Sequence, residues 1–241
     1  MAQPFNATVA PEIDALGIPV VFFVMRNLSN RLADPEFDRL KRAATSALLA
    51  RLSPEELAAD PVLAGYHRLH ERIACPRNRT TIPAPENLLK FLAKKGELPR
   101  VNLLVDIYNL ISAETRLAMG AHDLERIAGN VRFRLTDGSE LFHPLGDGPR
   151  AARAGEYAYI DEADEVLCRL EVRQVEKTKV TEETRHCFFI IQGNETTGSA
   201  MLQAATGRLI RRIQEFCGGG IEMLHCPWPD PQHPAELAIS R

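Results

Sequence analysis

The sequence has no long hydrophobic run. Its most apolar early stretch, IPVVFFVM at residues 18–25, is eight residues long, far short of the roughly 20 that a bilayer-spanning helix needs. Its first residues do not read as a secretory leader, and none is expected. Cysteine is sparse: Cys75, Cys168, Cys187, Cys217 and Cys226 are odd in number and form no CxxC pair. That usage fits reduced thiols and a cytoplasmic location, and excludes a disulfide framework. Neither sign of charge dominates, and a net charge of -3 does not announce a nucleic-acid binder.

Several catalytic signatures are also missing. No glycine-rich loop ends in GK[ST], and the GGG at 218–220 follows a helical pattern instead of opening one, which argues against a phosphate cradle. There is no GxSxG elbow for a serine nucleophile. His67 and His70 lie three apart and His225 adjoins Cys226, but neither pair belongs to a recognised zinc spacing. No metal and no cofactor is expected.

What is present is an ordinary globular composition: 241 residues, 45% hydrophobic and 25% charged. A chain of this size buries roughly three-quarters of its extended surface without a metal or disulfide staple. Charge is unevenly spread, however. Residues 66–100 hold eight basic side chains against three acidic ones, and residues 155–183 hold nine acidic against four basic. Such separation can orient a polyanion.

Residues 18–25 read as a buried strand. From Pro35 to about Lys95 the pattern is mainly helical. Ser53-Pro54-Glu55-Glu56 forms a capping-box start, Asp60-Pro61 begins another helix, and Gly96 ends the stretch. After residue 116 short strand patterns take over: Val131–Leu135, a turn at Asp137-Gly138 before Ser139–Phe142, then Tyr157–Asp161, Val166–Val175 and Cys187–Gln192. A helix from about Thr196 to Phe216 and an edge strand at Ile221–Cys226 complete the pattern. This order predicts an α+β fold, a mixed and largely antiparallel sheet core with packed helices. Residues 1–241 are expected to form a single domain, with the helical segment at about 35–95.

The helix expected over 101–116 carries Asn102, Asp106 and Asn109 at spacings of four and three, which stacks them along one side. A polar row on a mostly apolar helix either faces solvent or lines a pocket.

The run VDIYNLISAETRLAMGAHDLERIAGNVRFRLTDGSELF resembles the tRNA-editing module, or B3/B4 domain, of the phenylalanyl-tRNA synthetase beta subunit. There a VDxTNY-like start leads through a PxHAFD-like segment into a strand. The later VEKTKVTEETRHCFF is similar to the module's second signature, a GGExSGVxxET-like run. The resemblance covers about residues 97–192. It implies a free-standing B3/B4 relative that hydrolyses a mischarged aminoacyl-tRNA ester in trans, a deacylase and not a synthetase, with tRNA as partner. The alternative is a non-catalytic tRNA or aminoacyl-group binder.

Carried over residue by residue, the resemblance makes Asn109 and Glu176 the catalytic pair. Glu176 then takes the substrate ammonium, and Asn109 the ester carbonyl or its attacking water. Asp106, Gly120, His122 and Thr178 become substrate-binding positions. Gly120 replaces the family histidine, His122 sits two residues later, and Gln174 and Val175 replace two glycines before the acid. Arg68, Arg72, Arg77, Arg79, Lys94, Lys95 and Arg100 form the expected tRNA-facing set, with Arg208, Arg211 and Arg212 as a second possibility.

Overall fold

The computed structural model describes residues 4–76, 78 and 80–228. The chain opens with β1 (Ala7–Val9), α1 (Pro11–Leu16) and β2 (Val20–Arg26), and continues through four helices, α2 (Pro35–Leu49), α3 (Pro54–Ala59), α4 (Pro61–Arg72) and α5 (Ala84–Lys95). Each of these four has proline in its first turn, where the missing N–H has no helical partner to lose. Asp34, Ser53 and Asp60 accept from the first free amides of α2, α3 and α4, and Ser53 with Glu56 forms the expected capping box. Gly96, at φ 77°, ends α5 in the left-handed region.

Next come α6 (Leu103–Thr115), β3 (Ala118–Asp123), β4 (Val131–Leu135), β5 (Leu141–Phe142) and β6 (Arg150–Ala151). The described chain then runs through β7 (Tyr157–Asp161), β8 (Val166–Arg169), β9 (Arg173–Gln174), β10 (His186–Gln192), α7 (Ser199–Cys217) and β11 (Gly220–His225). Four strands pair in the order β11-β2-β10-β3, all antiparallel. A second sheet runs β1-β4-β7-β8-β9, parallel only at β1 and β4. The fold is α+β, as expected.

The layering follows from β2. Val20, Phe22 and Val24 pack with Phe133, Tyr157 and Tyr159 of the five-stranded sheet. Val21, Phe23 and Met25 pack instead among residues of α6 and α7. A strand buried on both faces has no polar positions to alternate, which is why VVFFVM reads as one apolar run. Phe23 stacks on Phe189 of β10 with ring centroids 4.8 Å apart.

Three segments depart from the expected elements. Ala118–Asp123, assigned to no element from sequence, is a strand paired along its whole length with β10. Val166–Val175 is not one strand: a turn at Leu170, φ 54°, separates β8 from β9. The Asp137-Gly138 turn joins no hairpin, because β4 pairs with β1 and β7 while β5 pairs with β6.

The polar row on α6 divides into separate roles. Asn102 is the N-cap, its Oδ1 accepting from Val105 N at 3.1 Å, while its Nδ2 donates to the Val180 carbonyl. Asp106, a substrate-binding position by resemblance but one whose place on the helix also suits a structural role, is a buried anion held by protein partners. Its Oδ2 lies 2.8 Å from Lys41 Nζ and its Oδ1 accepts from Val101 N at 2.9 Å. Buried charges survive only when paired. Lys41→Met therefore strands the Asp106 carboxylate and is expected to cost about 3–5 kcal/mol in urea unfolding. A loss under about 1 kcal/mol would show that the pair does not tie α2 to α6.

Candidate functional site

A cavity of about 450 Å³ opens between β3 and β10 on one side and the β8–β9 hairpin on the other, with α5 and α6 closing its ends. Strand alternation supplies one wall. Ala118, Gly120 and His122 share a face of β3, and Ile190 and Gln192 continue it on β10. Asn109 and Tyr108 enter from α6, Asn87 and Leu88 from α5. Thr80 and Asn87 are exposed, whereas His122, Tyr159, Leu170 and Gln192 are buried, so the cavity runs from an exposed mouth to a buried floor.

The hairpin supplies what sequence reasoning missed. The left-handed turn at Leu170 is followed by Glu171, which is 4% exposed and is the only carboxylate among the described residues that line the cavity. Its Oε1 lies 2.6 Å from His70 Nε2 on α4, and its Oε2 accepts from the Tyr157 hydroxyl and from Gln192 Nε2 at 3.2 Å. Gln192 Oε1 accepts in turn from the Tyr159 hydroxyl at 2.7 Å. A carboxylate has about four acceptor positions; these three partners leave room for one more donor. A lone glutamate in a turn carries no pattern by which sequence could single it out.

Of the expected catalytic pair, Asn109 lines the cavity and Glu176 does not. The Asn109 carboxamide is half-buried and is held by no described side chain or backbone group. Glu176 is paired with Lys179, and that bond holds its carboxyl below the usual carboxylate range. The acid of the second signature thus sits outside the cavity wall, while Glu171, five positions earlier, sits in it.

Among the substrate-binding expectations, Gly120 and His122 are cavity residues. A Cβ at Gly120 would stand 2.5 Å from Gln174 Nε2, so the space above this glycine is taken by a neighbour's amide. Thr178 is buried beneath the wall, its Oγ1 2.8 Å from His122 Nδ1, and orients that ring without lining the cavity.

The basic set scatters. Arg68 and Arg72 both face Glu195, and Arg100 pairs with Asp38 at 2.8 Å. Lys94 and Lys95 form the exposed last turn of α5. Arg77 and Arg79 lie outside the described residues. On α7, Arg208 pairs with Glu114 and Arg212 with Glu215, while Arg211 is exposed.

Burial shifts four titratable groups of the wall towards neutrality, Tyr108 and Tyr159 upward among them. Burial pushes the Cys168 thiol up to about 12, so it is no thiolate nucleophile at neutral pH. Burial pushes His122 down to about 3 from 6.5. No group of three or more His, Cys, Asp or Glu among the described residues is arranged to hold a metal ion. No described helix is long and apolar enough to cross a membrane.

A family model described as the B3/4 domain matches residues 73–218. The phenylalanine–tRNA ligase beta subunit of Archaeoglobus fulgidus is 26% identical over 135 residues, covering 48% of this chain. The chain spans only 24% of that relative's length. An N-terminal fragment of the phenylalanyl-tRNA synthetase beta subunit from Pyrococcus horikoshii superposes with a TM-score of 0.49 at 14% identity, over 91% of this chain and 50% of that one.

The His122 shift has a stability consequence. Its folded value lies below its unfolded one, so between about pH 6.5 and 3 the unfolded chain binds the extra proton. This contribution is fully present above that window and is lost as pH falls through it. Urea unfolding at pH 7 and pH 4.5 should show a smaller acid loss for His122→Phe than for the wild type. Equal losses would mean that His122 is solvated in the folded protein.

Proposed function

The chain belongs to the B3/4 domain family, and from that membership and the cavity's chemistry we propose that it hydrolyses the ester of a mischarged aminoacyl-tRNA. It acts as a single domain of this type. The observation that carries the reading is the pairing, in one cavity of about 450 Å³, of a buried carboxylate with an acceptor position left and a carboxamide without a protein partner. Glu171 receives the α-ammonium of the aminoacyl group. Asn109 donates its amide to the ester carbonyl.

Cavities of several hundred Å³ hold small-molecule-sized groups, which suits one amino acid and part of a terminal ribose. Hydrolysis of so activated an ester needs no covalent intermediate, and the neutral Cys168 thiol offers none. Water adds to the carbonyl carbon, negative charge gathers on the carbonyl oxygen, and the Asn109 amide stabilises it there. The carbon–ribose oxygen bond then breaks. The departing oxygen takes up a proton released by the attacking water, which leaves a free amino acid and an intact tRNA end.

Among the described residues, Arg173 is the one Arg or Lys lining the cavity. It donates to the Leu145 carbonyl at 2.9 Å and forms no salt bridge among the described residues, though its charge acts on Asp147; it suits the phosphate next to the terminal nucleotide. Lys94 and Lys95 are exposed and supply further phosphate contacts.

Single-turnover deacylation of a panel of mischarged tRNAs tests the assignment. Asn109→Ala and Glu171→Gln, each confirmed folded, are expected to slow cleavage about ten- to hundredfold. Glu176→Gln should change it by less than about twofold. Binding without turnover by the wild type would establish the non-catalytic alternative, and a large loss in Glu176→Gln would return that residue to the site. For the interface, Lys94→Glu with Lys95→Glu should weaken tRNA binding and lower the slope of log affinity against log salt by about 1 to 2. An unchanged slope would remove α5 from the contact.

A further inference from the structure

We propose that the exposed face of α5 receives the single-stranded end of the tRNA, and that Phe91 is the platform on which its terminal base stacks. This deepens the aminoacyl-ester reading above and rests on it.

All four tyrosines are buried, and among the described residues Phe91 is the one exposed aromatic side chain, at 39%. A single apolar residue on a surface needs no explanation by itself. The place of this one sets it apart. Ala84, Asn87 and Leu88 are the residues by which α5 lines the cavity, and Phe91 stands four beyond Asn87 and three beyond Leu88. Those are the spacings of one helix face, so Phe91 is the next side chain along that face once the cavity ends. At 1.5 Å per residue it lies about 6 Å past Asn87, and its Cα–Cβ bond tilts back towards the mouth.

Lys94 and Lys95 follow at three and four positions, in the last turn of α5. Both are exposed and neither forms a salt bridge among the described residues, unlike Lys90, which Glu86 holds at 2.5 Å. The face thus runs from a polar mouth over an aromatic ring to two cations. That order suits a single strand of RNA, whose unstacked bases seek a flat apolar surface and whose phosphates seek positive charge beside it. One ring is too little apolar area for the centre of a protein interface, which takes about 800 Å² from each partner. With the aminoacyl ester inside and the adjoining phosphate at Arg173 on the hairpin wall, the terminal base is the group left for the α5 wall.

The test uses the full chain and the trinucleotide CCA, intact or with its terminal base removed. Each form is made with and without an amide-linked, non-hydrolysable aminoacyl group at its 3′ end (alanyl, seryl, threonyl or tyrosyl). By calorimetry the wild type should bind the intact form about tenfold tighter or more than the abasic one. Phe91→Leu should bring that ratio to within about twofold and leave the abasic form's affinity within about twofold, whereas Phe91→Trp should keep the ratio. A ratio near one in the wild type, or one that survives Phe91→Leu, overturns the inference. So does a change of oligomeric state in Phe91→Leu with the ratio kept, which would assign the ring to a protein contact. The aminoacyl arm tests the reading beneath: an aminoacyl group that adds nothing to affinity, beside a base effect that depends on Phe91, fails the aminoacyl-ester reading and leaves the platform. Binding of the aminoacyl forms that ignores Phe91 fails the platform alone, and binding of none of the probes overturns both.

Discussion

A carboxylate taken out of water must be surrounded by donors, and the placement of Glu171 organises the site around that demand. Its partners come from three separate parts of the molecule: His70 on α4, Tyr157 on β7 of the five-stranded sheet, and Gln192 on β10 of the four-stranded one. Tyr66, also on α4, donates to the Gln192 carbonyl and accepts from Ala118 N, joining the helix to β10 and β3. The polar floor of the cavity is thus also the seam where both sheets and α4 meet. A substrate contact built on such a seam is pre-oriented, since moving it would break bonds in three elements at once.

The far side of the four-stranded sheet carries a second buried charge with a different purpose. Lys41 and Asp106 neutralise each other between α2 and α6, and Lys41 also donates to the Pro99 carbonyl. Neither residue of that pair lines the cavity beside Glu171. It holds α6 in place, and α6 in turn presents Asn109 and Tyr108 to the cavity. The polar row on this helix divides into three roles. One polar residue caps the helix, one anchors it, and one lines the cavity.

Much of the fold was legible because local chemistry dictated it. Proline after Asp or Ser marked the starts of three helices, Gly96 marked the end of a fourth, and the two-sided burial of β2 wrote itself into VVFFVM. β3 was illegible because AMGAHD, with its Gly, His and Asp, has little strand character; its hydrogen bonds come from β10, more than 60 positions along. The site was half legible. Asn109, Gly120 and His122 came from the first signature and line the cavity, whereas Glu176 came from the second and does not. The acid that does, Glu171, owes its inward direction to the left-handed turn at Leu170 and to partners scattered between residues 70 and 192. None of that is encoded in local spacing.

The measurement that bears most directly on this account is a crystal structure with an amide-linked aminoacyl-adenosine bound at saturation. The account predicts the aminoacyl group inside the cavity, its ammonium within hydrogen-bond reach of Glu171 and its carbonyl oxygen facing the Asn109 amide. An analogue bound elsewhere, or one in the cavity with its ammonium turned away from Glu171, would contradict it.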